Sequence, residues 1–208
     1  MHDFYLYAVN SNGKIDNIDS SVDHLGRILN SGYILNRKTL GMTGAGFNGT
    51  EYISLSDYDK RFNNAYMYDD VFFDYTAFTL YSSKAVSIMV AKDMVKAKEL
   101  RLIRPIESSF LSFAAFYTSA LDIVHGLMTD LPDEVQVKGN IKSETFRGIT
   151  IPSLEIARNY DVSKVIEIYR KIKELLVKYE YQLSIFDLNS LEKINSDDDV
   201  SRIVKRSL

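Results

Sequence analysis

Apolar and polar residues recur along this chain with two different periods, and the change between them marks out its elements. Phe4 to Val9 reads as a first strand and Ser11-Asn-Gly-Lys14 as the polar turn after it. Val22, Leu25, Ile28 and Leu29 then form a helical stripe, with His24 and Arg27 off it. Ser20 and Asp23 have capping-box spacing, and Gly32 stands where a left-handed stop belongs. Tyr52-Ile-Ser-Leu-Ser56 alternates with period two, which places Ser54 and Ser56 on one face. Val71 to Tyr81 and Ala85 to Ala91 are rich in β-branched and aromatic residues, as strands are, and Leu100 to Ile106 predicts a short extended piece. The apolar run from Phe110 to Met128 is broken by Ser112, Thr118, Ser119, Asp122 and His125. It predicts a buried helix instead of a membrane span, with His125 as a hydrogen-bonded core residue.

After a turn at Thr129 to Asp133, two strands are predicted, one opening at Glu134 and one over Phe146 to Ile151 closed by Pro152. From Asp161 the period changes to that of a helix. Val162, Val165, Ile168 or Tyr169, Ile172, Leu175, Leu176 and Tyr179 make an apolar stripe too continuous to leave wet. Asp197, Asp198 and Asp199 cannot converge on one ion as neighbours in a helix or strand, so they are read as capping the last helix. The expected architecture is α+β: a domain over residues 1–160 and a helical carboxyl-terminal extension over 161–208 packed on it.

Composition narrows the chemistry. At 208 residues, 46% of them apolar, the chain can bury a sizeable core. With 25 basic and 28 acidic residues the net charge is −3, so no whole-molecule field draws nucleic acid or an anionic membrane, while local basic patches stay open. The absence of cysteine excludes disulfides, thiolate metal sites and a cysteine nucleophile. Three histidines, His2, His24 and His125, make a histidine-rich metal site unexpected, and no metal is assigned. Met-His-Asp-Phe-Tyr-Leu-Tyr lacks a basic region followed by an apolar core, so no signal peptide and a cytoplasmic location are expected. Gly44-x-Gly46-x-x-Gly49 matches a dinucleotide fingerprint in letters only. It precedes a strand, whereas the fingerprint follows one and opens a helix, so a plain loop is the reading.

The segment Asp133-Glu-Val-Gln-Val carries the chemistry of interest. In an extended chain Glu134 and Gln136 point one way and Val135 and Val137 the other, so the polar pair faces either solvent or a cleft. The order of elements around it resembles the ADP-ribosyltransferase fold, over roughly residues 1–152. That order is a strand, a helix ending in Ser-Gly, a glycine-rich loop, an Ile-Ser-Leu-Ser strand, further strands, a helix, then Asp-Glu-Val-Gln-Val and Gly-Ile-Thr-Ile-Pro. The resemblance implies a toxin- or effector-type mono-ADP-ribosyltransferase that consumes NAD and modifies a protein or nucleic-acid acceptor, delivery into another cell included. It places the catalytic glutamate on Glu134, with Gln136 beside the acceptor or the ribose. The serine-bearing strand falls on Ser54 and Ser56, and the substrate loop on Met128 to Asp133, including Asp130 and Asp133. Of Tyr58, Tyr66, Tyr68 and Tyr75, one is implied to stack on nicotinamide, with Tyr58 nearest the serines. A carboxylate suits the reaction because cleavage of the nicotinamide–ribose bond develops positive charge on the ribose.

The chain departs from the family at one place. The family's first strand carries a basic or imidazole group for the dinucleotide, and here the matching position is Ala8, with Asn10 or Arg27 as substitutes. A second reading is therefore a non-catalytic binding module on the same fold, acting through protein or nucleotide contacts, with the tail helix available for a partner or a second copy of the chain. An unrelated α+β structural protein is the third.

Overall fold

The computed structural model of this chain describes residues 1–9, 18–41, 51–59, 85–99 and 134–207. Its strands and helices follow in the order β1 (Phe4–Ala8), α1 (Ile18–Ser31), β2 (Tyr33–Ile34), β3 (Tyr52–Asp57), β4 (Ser87–Ala91), β5 (Ala97–Glu99), β6 (Glu134–Lys138), β7 (Ile141–Lys142), β8 (Phe146–Ile151), α2 (Ser153–Asn159), α3 (Val162–Lys178), β9 (Ser184–Asp187), β10 (Lys193–Ile194) and α4 (Asp197–Ser207). Eight of the strands form one sheet in the order β10-β9-β8-β4-β1-β3-β6-β5, and β2 pairs with β7 separately. Within the large sheet β8 and β9 run parallel and the other pairs antiparallel, so the fold is α+β with a mixed sheet.

Alternation decides which face the helices cover. Ile53, Leu55, Ile88, Val90, Val135, Val137, Ile149, Ile151 and Ile185 share a core with the apolar stripes of the four described helices. On the opposite face a smaller cluster gathers Phe4, Leu6, Tyr58, Met89 and Leu188. Gly148 lies on that second face, where an added Cβ would stand 2.7 Å from Phe186 Cε2 and 3.0 Å from Met89 Sδ, so only glycine admits both side chains there.

β6 and β8 occupy the predicted ranges, and β3 runs one residue beyond Ser56. β4 begins at Ser87, two residues after the predicted Ala85. Helix α1 opens at Ile18, so Ser20 lies inside its first turn and is not its cap. Gly32 does adopt the left-handed conformation, φ +72°, at its end. The predicted elements over 71–81, 100–106, 110–128 and 129–133 lie outside the described residues, as does the glycine-rich segment beyond Gly41.

The tail differs from a helical appendage. Asp161 caps α3 by accepting a hydrogen bond from the Lys164 amide, and Ile168, Tyr169, Ile172 and Leu176 are buried, with Leu175 partly so. Between α3 and α4, however, β9 adds to the edge of β8 and β10 to β9, so residues 161–207 extend the sheet as well as cover it. Lys164 and Lys171 each reach Asp19 of α1 at 2.8 Å, which ties tail to amino-terminal half. The last helix is capped by Ser196, whose hydroxyl accepts from the Asp199 amide, while Asp199 Oδ2 accepts from the Asn195 amide; the three aspartates fill the first turn. Because Ile172 is wholly buried, Ile172→Ala should cost about 2–5 kcal/mol. A lowered urea midpoint at unchanged m-value is the expected readout. An unchanged midpoint would mean that α3 is not part of the cooperative unit.

Candidate functional site

The ladder between β3 and β6 sets Ser54 opposite Gln136 and Ser56 opposite Glu134. Residues opposite one another in an antiparallel pair lie on the same side, so all four predicted positions share the face opposite the one that the described helices cover. The next strand extends the two rows. Leu6 pairs with Ser56, and Ala8 lies two residues farther along β1, in the row of Ser54 and Gln136. On the other side of β1, Ala8 faces Ser87, and Ser87 faces Thr150. From β8 across to β6 this row is built of small or polar residues, with Phe186 beyond Thr150 and Lys98 beyond Gln136, and the adjoining row carries Leu6 and Met89 beside Ser56 and Glu134.

Gln136 is the best-defined member. It is 6% exposed, and its amide Nε2 is buried without a hydrogen-bond partner among the described residues. A buried amide donor left unpaired costs free energy that a ligand oxygen or a water would recover. Ser87 and Thr150, also buried, are satisfied internally: Ser87 Oγ donates to the Ala85 carbonyl, and Thr150 Oγ1 donates to the Ser87 carbonyl.

Tyr58 is tied into the fold at both ends of its side chain. It is buried, its hydroxyl donates to the Leu188 and Asn189 carbonyls at 3.2 and 3.1 Å, and its ring packs edge-on against His2 and tilted against Phe4. The ring therefore fastens the β9–β10 turn to β3. His2 in turn bonds Asp59 through Nδ1 at 2.7 Å, and Lys92 bridges Asp57 and Asp59. Asn10, Asp130, Asp133, Tyr66, Tyr68 and Tyr75 lie outside the described residues.

No basic or imidazole group of β1 fills the place left by Ala8, since its positions on that face after His2 are Phe4, Leu6 and Ala8. His24, which sequence reasoning set aside as off the helical stripe, lies on α1 against the Val9 backbone just past β1. Half-buried on α1, it has its pKa lowered by burial and by Arg27, against a hydrogen bond to the Val9 backbone that raises it. Burial of Val9 in the helix-side core puts that contact behind the sheet, away from Ser54 and Gln136. Arg27 is exposed on the same helix.

On the helix-side face of β1, burial pushes the Tyr7 hydroxyl up to about 12. An unfolded tyrosine titrates near 10, so between about pH 10 and 12 the unfolded chain gives up a proton that the folded chain keeps. The raised folded value leaves stability intact below about pH 10 and erodes it as pH rises through that window. Tyr7→Phe should flatten this part of the stability profile, as urea unfolding at about pH 9 and pH 11 would register. Equal losses in both proteins would place the alkaline lability elsewhere.

Among the described residues no group of three or more acidic, histidine or cysteine side chains is placed to hold a metal, and no helix is long and apolar enough to cross a membrane. Comparison of the chain with protein-family models, with curated proteins and with solved structures finds no match.

Proposed function

We propose that the protein is a mono-ADP-ribosyltransferase that cleaves NAD at the Ser54, Ser56, Glu134 and Gln136 face of its sheet and passes ADP-ribose to a macromolecular acceptor. The observation that carries the reading is the ladder pairing of Ser56 with Glu134 and Ser54 with Gln136, on the face away from the helices, together with the unpaired buried amide of Gln136. In this reading the Glu134 carboxylate binds a ribose hydroxyl and stabilises the positive charge that develops as the nicotinamide bond breaks. The Gln136 amide donates to an oxygen of ribose or acceptor, and Ser56 lies in the same row as the glutamate. Proton traffic is slight, because nicotinamide departs as a neutral leaving group and the acceptor's nucleophile loses its proton on attack.

One observation favours the second reading, a binding module that has kept the face and lost the reaction: Phe4, Leu6 and Ala8 make the side of β1 away from the described helices apolar, where a dinucleotide would want a charged or imidazole partner. Incubation of the full chain with NAD separates the two. Nicotinamide release supports the enzyme, and NAD-dependent thermal stabilisation without release supports the module. A ligand at a hundredfold excess over its Kd adds about 2.7 kcal/mol. Neither effect would exclude both NAD readings.

A further inference from the structure

The turn that follows β6 carries a surface that the NAD reading does not use. Lys138 ends β6 directly opposite Tyr52 of β3, one row beyond Gln136 and Ser54. Four residues later Lys142 of β7 stands directly opposite Tyr33 of β2. Two tyrosine–lysine pairs thus flank the tight turn at Gly139 and Asn140. Ile34 and Ile141 are buried, so the alternate positions Tyr33 and Lys142 face solvent, and Tyr33 is 40% exposed despite its size. Lys138 and Lys142 are exposed as well, and Tyr52 partly so.

The loop after β2 adds charge to this corner and is held there firmly. The Asn36 amide donates to Asn140 Oδ1 at 2.9 Å, Asn36 Nδ2 donates to the Glu51 carbonyl, and Thr39 Oγ1 donates to Asn140 Oδ1. Arg37 and Lys38 on that loop are exposed. Lys38 reaches Glu51 at 2.6 Å, and Lys138 approaches the same carboxylate at 3.6 Å. Lys38 and Lys138 therefore share the Glu51 carboxylate, and Arg37 and Lys142 are exposed on the same loop and turn, in a chain whose net charge is −3. Cations on a rigid rim with accessible aromatic rings between them are what a single-stranded polynucleotide requires, phosphates meeting the cations and bases stacking on the rings. Duplex grooves ask instead for a protruding helix or ribbon, and an acidic polypeptide gains little from two exposed rings.

We infer that the corner formed by Tyr33, Lys142, Tyr52 and Lys138, with Arg37 and Lys38 at its rim, is a binding surface for single-stranded nucleic acid. The surface is independent of NAD chemistry, so it stands or falls separately from the proposed reaction. Where that reaction holds, the bound strand is its acceptor, because β6 runs from the surface straight to Gln136 and Glu134.

Fluorescence anisotropy of the full chain with labelled single-stranded DNA and RNA of about a dozen nucleotides, in the absence of NAD, tests the inference. Binding should weaken with salt, with a log–log slope of about −2 to −3 if three or four phosphates are neutralised. Lys138→Gln and Lys142→Gln should each reduce that slope by somewhat less than one. Tyr33→Ala should lose about 5- to 150-fold in affinity while Tyr33→Phe retains it, a distinction that charge alone would not make. All four substitutions are at accessible side chains, so circular dichroism melts should stay at the wild-type midpoint. Absence of binding at low salt would overturn the inference. So would equal affinity for polyglutamate, stronger binding to the duplex of the same sequence, or an unaltered affinity in Tyr33→Ala.

Discussion

Glu134→Gln removes NAD cleavage and leaves the thermal midpoint where it was: that is the expected result if the carboxylate at the head of β6 stabilises charge on the ribose. The swap keeps size and hydrogen-bonding reach and deletes only the negative charge. One preorganised electrostatic group is worth on the order of 10²- to 10³-fold in turnover, so nicotinamide release should fall by that factor. The backbone position argues that the fold will tolerate it. Glu134 is the first residue of its strand, and the ladder to Ser56 is made by main-chain groups that the substitution does not touch. Nicotinamide release followed by chromatography, beside a melting curve of the same preparation, measures both quantities. Equal release by the two proteins would transfer the chemistry to another residue. A fall in release matched by a fall in melting temperature would show that the residue holds the strand and not the substrate.

The parts of this arrangement that could be read from the chain are those where local pattern and tertiary position agree. In Glu134 to Lys138 and Phe146 to Ile151, Val135, Val137, Ile149 and Ile151 recur two residues apart because that side of each strand is buried against the helices. The long stripe of α3 was legible for the same reason, with Asp161 at its start accepting from Lys164. Ser-Ile-Phe-Asp187 shows why other elements were not. Four residues are too few to display a period, and its place beside β8 is set by a parallel pairing with residues some thirty-six positions earlier, as in Gly148 opposite Ser184. The two-residue strands β2 and β7 offer no periodicity at all, although they position Tyr33 and Lys142. Tyr58 follows the serine strand at a spacing that invites a ligand, yet its hydroxyl is taken by carbonyls of Leu188 and Asn189, 130 residues away, which no local reading can foresee. The unpaired amide of Gln136 was equally invisible, because a polar residue on an alternating strand looks solvated until the face is seen to be buried.

That buried amide leads to the second large effect, in which stability and function should move in opposite directions. Gln136→Met replaces a side chain by an apolar one of similar length and flexibility, and Val135 and Val137 on the other face are untouched. In the free protein the wild-type Nε2 is desolvated without recompense from any described residue, a cost of about 1–3 kcal/mol for a group of this kind. Removing it should therefore stabilise the ligand-free chain by about 1 kcal/mol or more, a rise of roughly 2–4 °C in Tm per kcal/mol for a chain of this length. The same substitution deletes the donor that Gln136 places in the row of Ser54 and Ala8, so any NAD-dependent stabilisation or nicotinamide release should drop by at least about tenfold, the equivalent of one lost hydrogen bond to a ligand. A more stable protein that has lost its response to NAD would identify Gln136 as a residue kept for binding at the expense of the fold. A less stable protein would mean that the amide is satisfied in solution, by water, and that the glutamine is structural. Gln136→Glu distinguishes the two from another side: in a ligand site it keeps an oxygen but loses the donor, whereas in a structural site it introduces a buried charge and lowers stability steeply above the pH at which the new carboxyl ionises.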